Sequence, residues 1–419
     1  MAFSSHLLIW LVAALSIAAL VLRPFGAREW IGPTAGAALL VVAGALPWDA
    51  ALRAVGQGLD VYLFIAGMML ISELARREGL FDHLAAVAVR IGGGSPRRLL
   101  VLVYGIGVVV TAFMSNDATA VVLTPAVSAA ARKAGLRPLP YLFACALVAN
   151  AASFVLPMSN PANLLVFDGQ LPALGDWLRQ LGLPALGSVL ATFAVLRWRM
   201  RADLRGGYAV PPAPHALGAT GRYAAWGVAA TAVALVAASA FGQDLGTVTF
   251  GVATLAVAAV LAAKRESPIH VLRHVAWSVL VLVAALFILV AAVEQTGLLA
   301  TLTQRLADGR VASAGSLWTA AGVTALACNL LNNLPAGLLA ASTVSALHAS
   351  APLRDAVAIG IDLGPNLSIT GALSNVLWLV AIRREQHEVG ALRFLAIGLL
   401  AMPAALACAL ALLQVSSVI

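Results

Sequence analysis

The sequence predicts an all-α polytopic membrane protein, an inverted repeat of two five-span halves, each with a re-entrant hairpin and a discontinuous helix. Three observations lead there. Of the 419 residues, 61% are hydrophobic and 11% charged, with a mean hydropathy of +0.95; a soluble domain carries roughly 25% charged residues. Apolar runs of spanning length recur along the chain. The polar residues that interrupt them recur in the same order in both halves. The net charge of +8 then belongs to membrane topology, with Lys and Arg gathered in cytoplasmic loops, and not to a nucleic-acid-binding face. Cys145, Cys328 and Cys408 have neither disulfide nor zinc-knuckle spacing, and no cofactor or metal is expected.

Taken in order, the first apolar run (6–22) lacks a basic leader and a small-residue cleavage site, so it reads as a retained span. Runs 31–46 and 60–71 follow. The amphipathic stretch 80–91 is expected at the cytoplasmic surface, with 298–306 as its counterpart. Segment 97–133 is basic at both ends and polar in the middle. Each of its arms, about 15 residues, reaches about 23 Å against a core of roughly 30 Å, which predicts a hairpin entering from the cytoplasm. Runs 140–167 and 183–196 complete a first repeat over 1–205, and 206–221 is a cytoplasmic linker. The second repeat, 222–419, holds runs 223–241, 247–263, 277–293, 357–382 and 394–413, with a second hairpin at 316–348. In this topology both termini lie outside. Of the 26 Lys and Arg residues, only Arg53, Arg179, Arg305, Arg310 and Arg354 then fall outside. Making either hairpin a full span would flip every later loop against the positive-inside rule.

The internal echo is specific in order and spacing. Glu73 before Gly79-Leu80 is matched by Glu294 before Gly297-Leu298, and Asn116-Asp117 by Asn332-Asn333. Asn150 ahead of Asn163 is matched by Asp362 ahead of Asn375. An odd number of spans in one half forces its copy to be inverted. Such repeats place solute and ion sites near the midplane, where the halves meet.

Four polar clusters are the candidate sites. The hairpin tips supply Ser115, Asn116 and Asp117, and Asn332 and Asn333. The long runs supply Asn150, Ser159, Asn160 and Asn163, and Asp362, Asn366, Thr370, Ser374 and Asn375. Pro157, Pro161, Gly364, Pro365 and Gly371 predict unwinding beside them. A single Asn or Ser in a membrane helix commonly serves as interhelical glue. A carboxylate at this depth costs roughly 3 kcal/mol, which marks Asp117 and Asp362 as proton carriers. Each is expected beside an amide of its own half, Asp117 by Asn150 and Asp362 by Asn333. Glu73 and Glu294, at span ends, read as interfacial. Asn side chains both donate and accept, which suits a neutral polyhydroxy solute.

The segments FMSNDATAVVLTP, VANAASFVLPMSNPANLL, CNLLNNLPAGLLA and IGIDLGPNLSITGALSNVLWL resemble the core motifs of the ArsB-type arsenite/antimonite efflux permeases, part of the wider ion-transporter superfamily. The resemblance runs over nearly the whole chain. It implies a secondary active transporter of the inner membrane, not an enzyme, that exports arsenite or antimonite in exchange for protons. A cytoplasmic ATPase subunit would be a partner for the basic loops. Family motif residues fall on Asn116, Asp117, Ser159, Asn160, Asn163, Asn332, Asn333, Asp362, Gly364 and Pro365. At two positions the chain departs from the motif: Asn150 stands where the permeases typically carry Asp, and Asn366 where DLGP is usually followed by Lys. An ion-coupled anion or dicarboxylate transporter and a sodium/proton antiporter of the same superfamily stay open as alternatives. The doubled site argues against a channel or a sensor.

Overall fold

The computed structural model describes residues 2–22, 27–167, 171–214, 216–297 and 314–416. The chain is helical, with no strand among the described residues. Its helices are α1 (Ala2–Leu22), α2 (Ile31–Val42), α3 (Trp48–Gln57), α4 (Leu59–Arg77), α5 (Leu80–Ile91), α6 (Pro96–Phe113), α7 (Asn116–Ala118), α8 (Thr124–Lys133), α9 (Leu139–Ala151), α10 (Pro161–Val166) and α11 (Leu174–Arg199). There follow α12 (Ala219–Ala240), α13 (Leu245–Lys264), α14 (Ile269–Leu272), α15 (Ser278–Glu294), α16 (Ala314–Leu331), α17 (Asn333–Ala346), α18 (Ala351–Leu363), α19 (Leu373–Arg384) and α20 (Ala391–Ser416). The helix expected at 298–306 lies outside the described residues.

Among the described residues six helices, α6, α11, α12, α13, α16 and α20, are long and apolar enough to cross a bilayer. The pair α3 and α4, bent by 50°, makes a seventh if counted as one span. The remaining apolar runs form the short and broken helices that the sequence leads one to expect. Runs 140–167 and 357–382 are each split into two helices, and α1, α2, α9 and α15 are shorter apolar helices. The splits fall where Pro and Gly predict them. Between α9 and α10 lies only a 3₁₀ turn at Pro157–Ser159, and between α18 and α19 two such turns, Gly364–Asn366 and Ile369–Gly371. Helices α6 and α16 have 18 residues each, about 27 Å and longer than the arms expected. In α6 this is because Arg97 and Arg98 lie inside the first turn, where Ser95 Oγ accepts from the Arg98 amide at 3.4 Å.

At membrane depth every freed backbone group needs a partner. Three predicted site residues meet that need by capping the helix that resumes after a break. Ser115 Oγ accepts from the Ala118 amide at 3.2 Å, Asn160 Oδ1 from Ala162 at 3.1 Å, and Asn332 Oδ1 from Leu334 at 3.5 Å. Between α7 and α8 the helix loosens into a π turn at Thr119–Leu123. The Thr111 and Thr119 hydroxyls meet at 2.8 Å across the first break. At the outer ends of the same segment, α5 packs on both α6 and α8, and Tyr141 donates to the Pro96 carbonyl at 3.3 Å.

The most extensive helix contacts are α11 with α20 and α4 with α13. The linker lies on the surface beside α5, where the Tyr208 amide donates to the Gly94 carbonyl at 3.0 Å. Ion pairs tie α4 to the end of α13: Lys264 to Glu78 at 2.8 Å and Arg77 to Glu266 at 3.0 Å. Burial works to raise the Glu78 carboxyl. The hydrogen bonds from Lys264 and Thr220 and the charges of Lys264 and Arg77 outweigh it and hold the group below its usual value.

Candidate functional site

The two broken runs bond directly to each other. Asn160 Nδ2 donates to Asp362 Oδ1 at 2.6 Å. Asn150 Nδ2 donates to Asn366 Oδ1 at 3.0 Å and to Asn375 Oδ1 at 2.9 Å, and its own Oδ1 accepts from Ser374 at 3.5 Å. The pairing expected inside each half, Asp117 with Asn150 and Asn333 with Asp362, is thus replaced by pairing between residues more than 200 apart. The physical reason at Asn150 is saturation: both its donors and its acceptor are placed on the opposite break, while Asp362 Oδ1 is taken by Asn160. The two positions at which the chain departs from the permease motif, Asn150 and Asn366, are partners. Both are neutral amides, so their bond carries no formal charge.

Two asparagines matched in the internal echo do matched work. Asn163 Nδ2 donates to the Ser153 and Pro157 carbonyls at 2.9 and 3.3 Å, and Asn375 Nδ2 donates to Pro365 and Ser368 at 2.6 and 2.9 Å. Each ties down the unwound segment before its helix. Ser159 Oγ donates to the Ala112 carbonyl at 3.2 Å and accepts from the Leu156 amide at 3.0 Å, holding the first break against α6. At the second tip, Asn332 Nδ2 donates to the Thr370 carbonyl at 3.2 Å and Thr370 Oγ1 to the Asn329 carbonyl at 3.3 Å. Much of the candidate set therefore serves the backbone.

What is left over is informative. Asn116 Oδ1, Asn163 Oδ1, Asn333 Oδ1 and Asp362 Oδ2 are buried without a hydrogen-bond partner. All four are acceptors, and within the four clusters no buried side-chain donor is left unpaired. Leaving a buried acceptor empty costs about 1–3 kcal/mol, so the arrangement is suited to something that donates.

The two carboxylates differ in access. Asp362 is 1% exposed. Asp117, with Ser115, lines a cavity of about 590 Å³ that is also walled by Ser72, Glu73, Arg76 and Pro161 and reaches Arg384 and Glu385. Glu73 is a residue that sequence reasoning sets aside as interfacial. It is buried, and both its oxygens accept from Arg76 at 2.7 Å. Its signal was present as an Arg three residues on, on the same helix face. Asp355 was missed altogether; it is buried on α18, two turns before Asp362. Cys328 Sγ lies 3.6 Å from the Ile361 carbonyl, beside the second break.

Long apolar helices, helices broken in mid-run and facing breaks lined with buried amides define a multi-pass inner-membrane transporter. The chain belongs to the citrate transporter family, whose model matches residues 6–366. It is 25% identical over 405 residues to the arsenical pump membrane protein of Escherichia coli strain K12, covering 90% of this chain and 91% of that one. It is 27% identical over 344 residues to the arsenical pump membrane protein of Yersinia enterocolitica, covering 78% and 79%. Among solved structures the fold is similar to the YdaH transporter of Alcanivorax borkumensis, with TM-score 0.51, 17% identity and 86% of each chain covered. It is also similar to Neisseria gonorrhoeae MtrF, described as illuminating a class of antimetabolite efflux pumps, with TM-score 0.54, 12% identity and 87% and 82% covered.

Proposed function

We propose that the protein exports arsenite and antimonite across the inner membrane in exchange for protons. The observation that carries this reading is the group of unpaired buried oxygens, Asn116 Oδ1, Asn163 Oδ1, Asn333 Oδ1 and Asp362 Oδ2. A neutral trihydroxide of arsenic or antimony donates O–H groups to such oxygens. The arsenical pump relatives point the same way. Asp117 and Asp362 carry the protons: binding one removes a charge that the membrane interior makes costly. Asp117 exchanges with water through its cavity while Asp362 is sealed, as a carrier open to one side requires. The inverted repeat supplies the reverse arrangement when the hairpins move against the remaining helices.

Arg76 and Arg384 on the cavity wall favour a second reading, an ion-coupled anion or dicarboxylate carrier. Arg76 is held by both oxygens of Glu73, which leaves it poorly placed to neutralise a dianion. Uptake into everted membrane vesicles separates the two readings. Arsenite and antimonite should accumulate under a proton gradient and stop accumulating when an uncoupler is added. Accumulation of a dicarboxylate instead, or arsenite uptake indifferent to the uncoupler, overturns the proposal.

A further inference from the structure

Helices α12 and α13 run antiparallel and leave a groove of about 530 Å³ on their outer face, lined by Tyr223, Trp226, Ala230, Leu255, Ala259 and Ala263 among others. Gly227 lets the helices close at its base, since a Cβ there would sit 2.9 Å from that of Ala256. Trp226 and Leu255 on its walls are 73% and 71% exposed. On α13 the lining runs from Val252 to Ala263, about 17 Å of helix, close to half of a hydrocarbon core of roughly 30 Å. The groove is one leaflet deep.

Its mouth is positive. Arg222 immediately precedes Tyr223, Arg265 follows Ala263 by two residues, and both are exposed. The neighbouring cations Arg77 and Lys264 are already matched by Glu266 and Glu78. Neither Arg222 nor Arg265 is in an ion pair among the described residues. Arg222 Nη1 donates to the Leu217 carbonyl at 3.2 Å, which leaves the remaining guanidinium N–H groups for another acceptor. Tyr223 and Trp226, of the residue types enriched at headgroup level, lie one and four residues after Arg222.

We propose that this groove binds one anionic phospholipid, its acyl chain along α12 and α13 and its phosphate between Arg222 and Arg265. A neutral lipid would leave both arginines unmatched. The proposal does not depend on what the protein transports. The test uses full-length protein in phosphatidylcholine nanodiscs, titrated with dibrominated phosphatidylglycerol or dibrominated phosphatidylcholine. The W226F variant is subtracted to isolate Trp226 fluorescence. Phosphatidylglycerol should quench Trp226 at a far lower mole fraction than phosphatidylcholine. At about fivefold per arginine, R222Q/R265Q should reduce that preference roughly 30-fold, and R222K/R265K should retain it. Equal quenching by both lipids, or an unchanged preference in R222Q/R265Q, overturns the proposal. So does Trp226 shielded from both lipids and cross-linking between copies, which would make the occupant a second chain.

Discussion

The bond between Asn150 and Asn366 makes a sharp prediction about replacing both residues. Asn150→Asp turns a donor into a carboxylate that faces Asn366 Oδ1 and Asn375 Oδ1, both acceptors, and two hydrogen bonds are lost. The partners cannot easily turn over. Asn375 Nδ2 is held by the Pro365 and Ser368 carbonyls, and Asn366 Nδ2 by Leu147 at 3.2 Å. Both positions are at most 1% exposed, so an unpaired charge at either should cost about 3–5 kcal/mol. Asn366→Lys alone should cost as much for the mirror reason. In N150D/N366K the charges meet. The residual loss is then the overpacking of a longer side chain, about 1–3 kcal/mol. The coupling energy in the double-mutant cycle should exceed about 3 kcal/mol. Thermal and denaturant unfolding of detergent-purified protein measures it. A double variant whose loss equals or exceeds the sum of the two single losses refutes the idea that this amide pair stands in for an ion pair.

Other outcomes follow from the same geometry. Asn160→Ala removes the 2.6 Å bond to Asp362 and should couple to Asp362→Ala, which removes the acceptor, by about 1–2 kcal/mol, above the ~0.6 average for interhelical bonds in membranes, because one partner is a carboxylate; the same unfolding cycle reads it. Asp117→Asn should abolish gradient-driven arsenite uptake into everted vesicles while the protein still inserts, and full uptake would mean the proton travels elsewhere. Gly398→Ala places a Cβ 2.4 Å from the Asn366 carbonyl oxygen and 2.5 Å from that of Leu367. It should destabilise by about 1–3 kcal/mol, or displace the second break, as a shifted melting temperature would report. For Glu78, the folded carboxyl lies below its ordinary 4.5, so the unfolded chain takes up a proton first as pH falls. The stabilisation, at most about 1 kcal/mol for such a pair, is present above pH 4.5 and lost as pH falls through the folded value. Wild type and Glu78→Gln should therefore differ in melting temperature near neutrality and converge in acid.

The breaks were legible because their causes are local. Pro157, Pro161, Gly364 and Pro365 lie among polar residues in two apolar runs, and the unwound segments lie there, whereas the lone Pro184 and Pro403 sit inside unbroken helices. The identity of the polar clusters was legible too, because a buried amide or carboxylate in an apolar run stands out against its neighbours. What each residue bonds to was not. Asn160 meets Asp362 across 202 positions, and nothing in either segment's pattern says which break faces which. Backbone duties were not legible either: Ser115, Asn160 and Asn332 stand out as polar residues in sequence, and each also gives an oxygen to a helix cap. The burial of Glu73 and its pairing with Arg76 were not legible for a related reason. A carboxylate at the end of an apolar run resembles an interfacial anchor until another part of the chain is folded over it.

The packing of α11 against α20 and of α4 against α13 has a mechanical consequence. Each contact stitches a helix from residues 1–205 to one from residues 222–419, and they are the two broadest seams in the molecule. Gly187 is close enough to Cys408 and Leu412 that a Cβ on it would lie 3.0 Å from one side chain and 2.4 Å from the other. Rocking one sequence half against the other would have to unpick both seams in every cycle. The halves are therefore interwoven into a single frame. In the proposed transport cycle the cheaper stroke would run through the segments that the seams leave out, the loosened helix at Thr119–Leu123 and the unwound stretches beside Asn160 and Asp362.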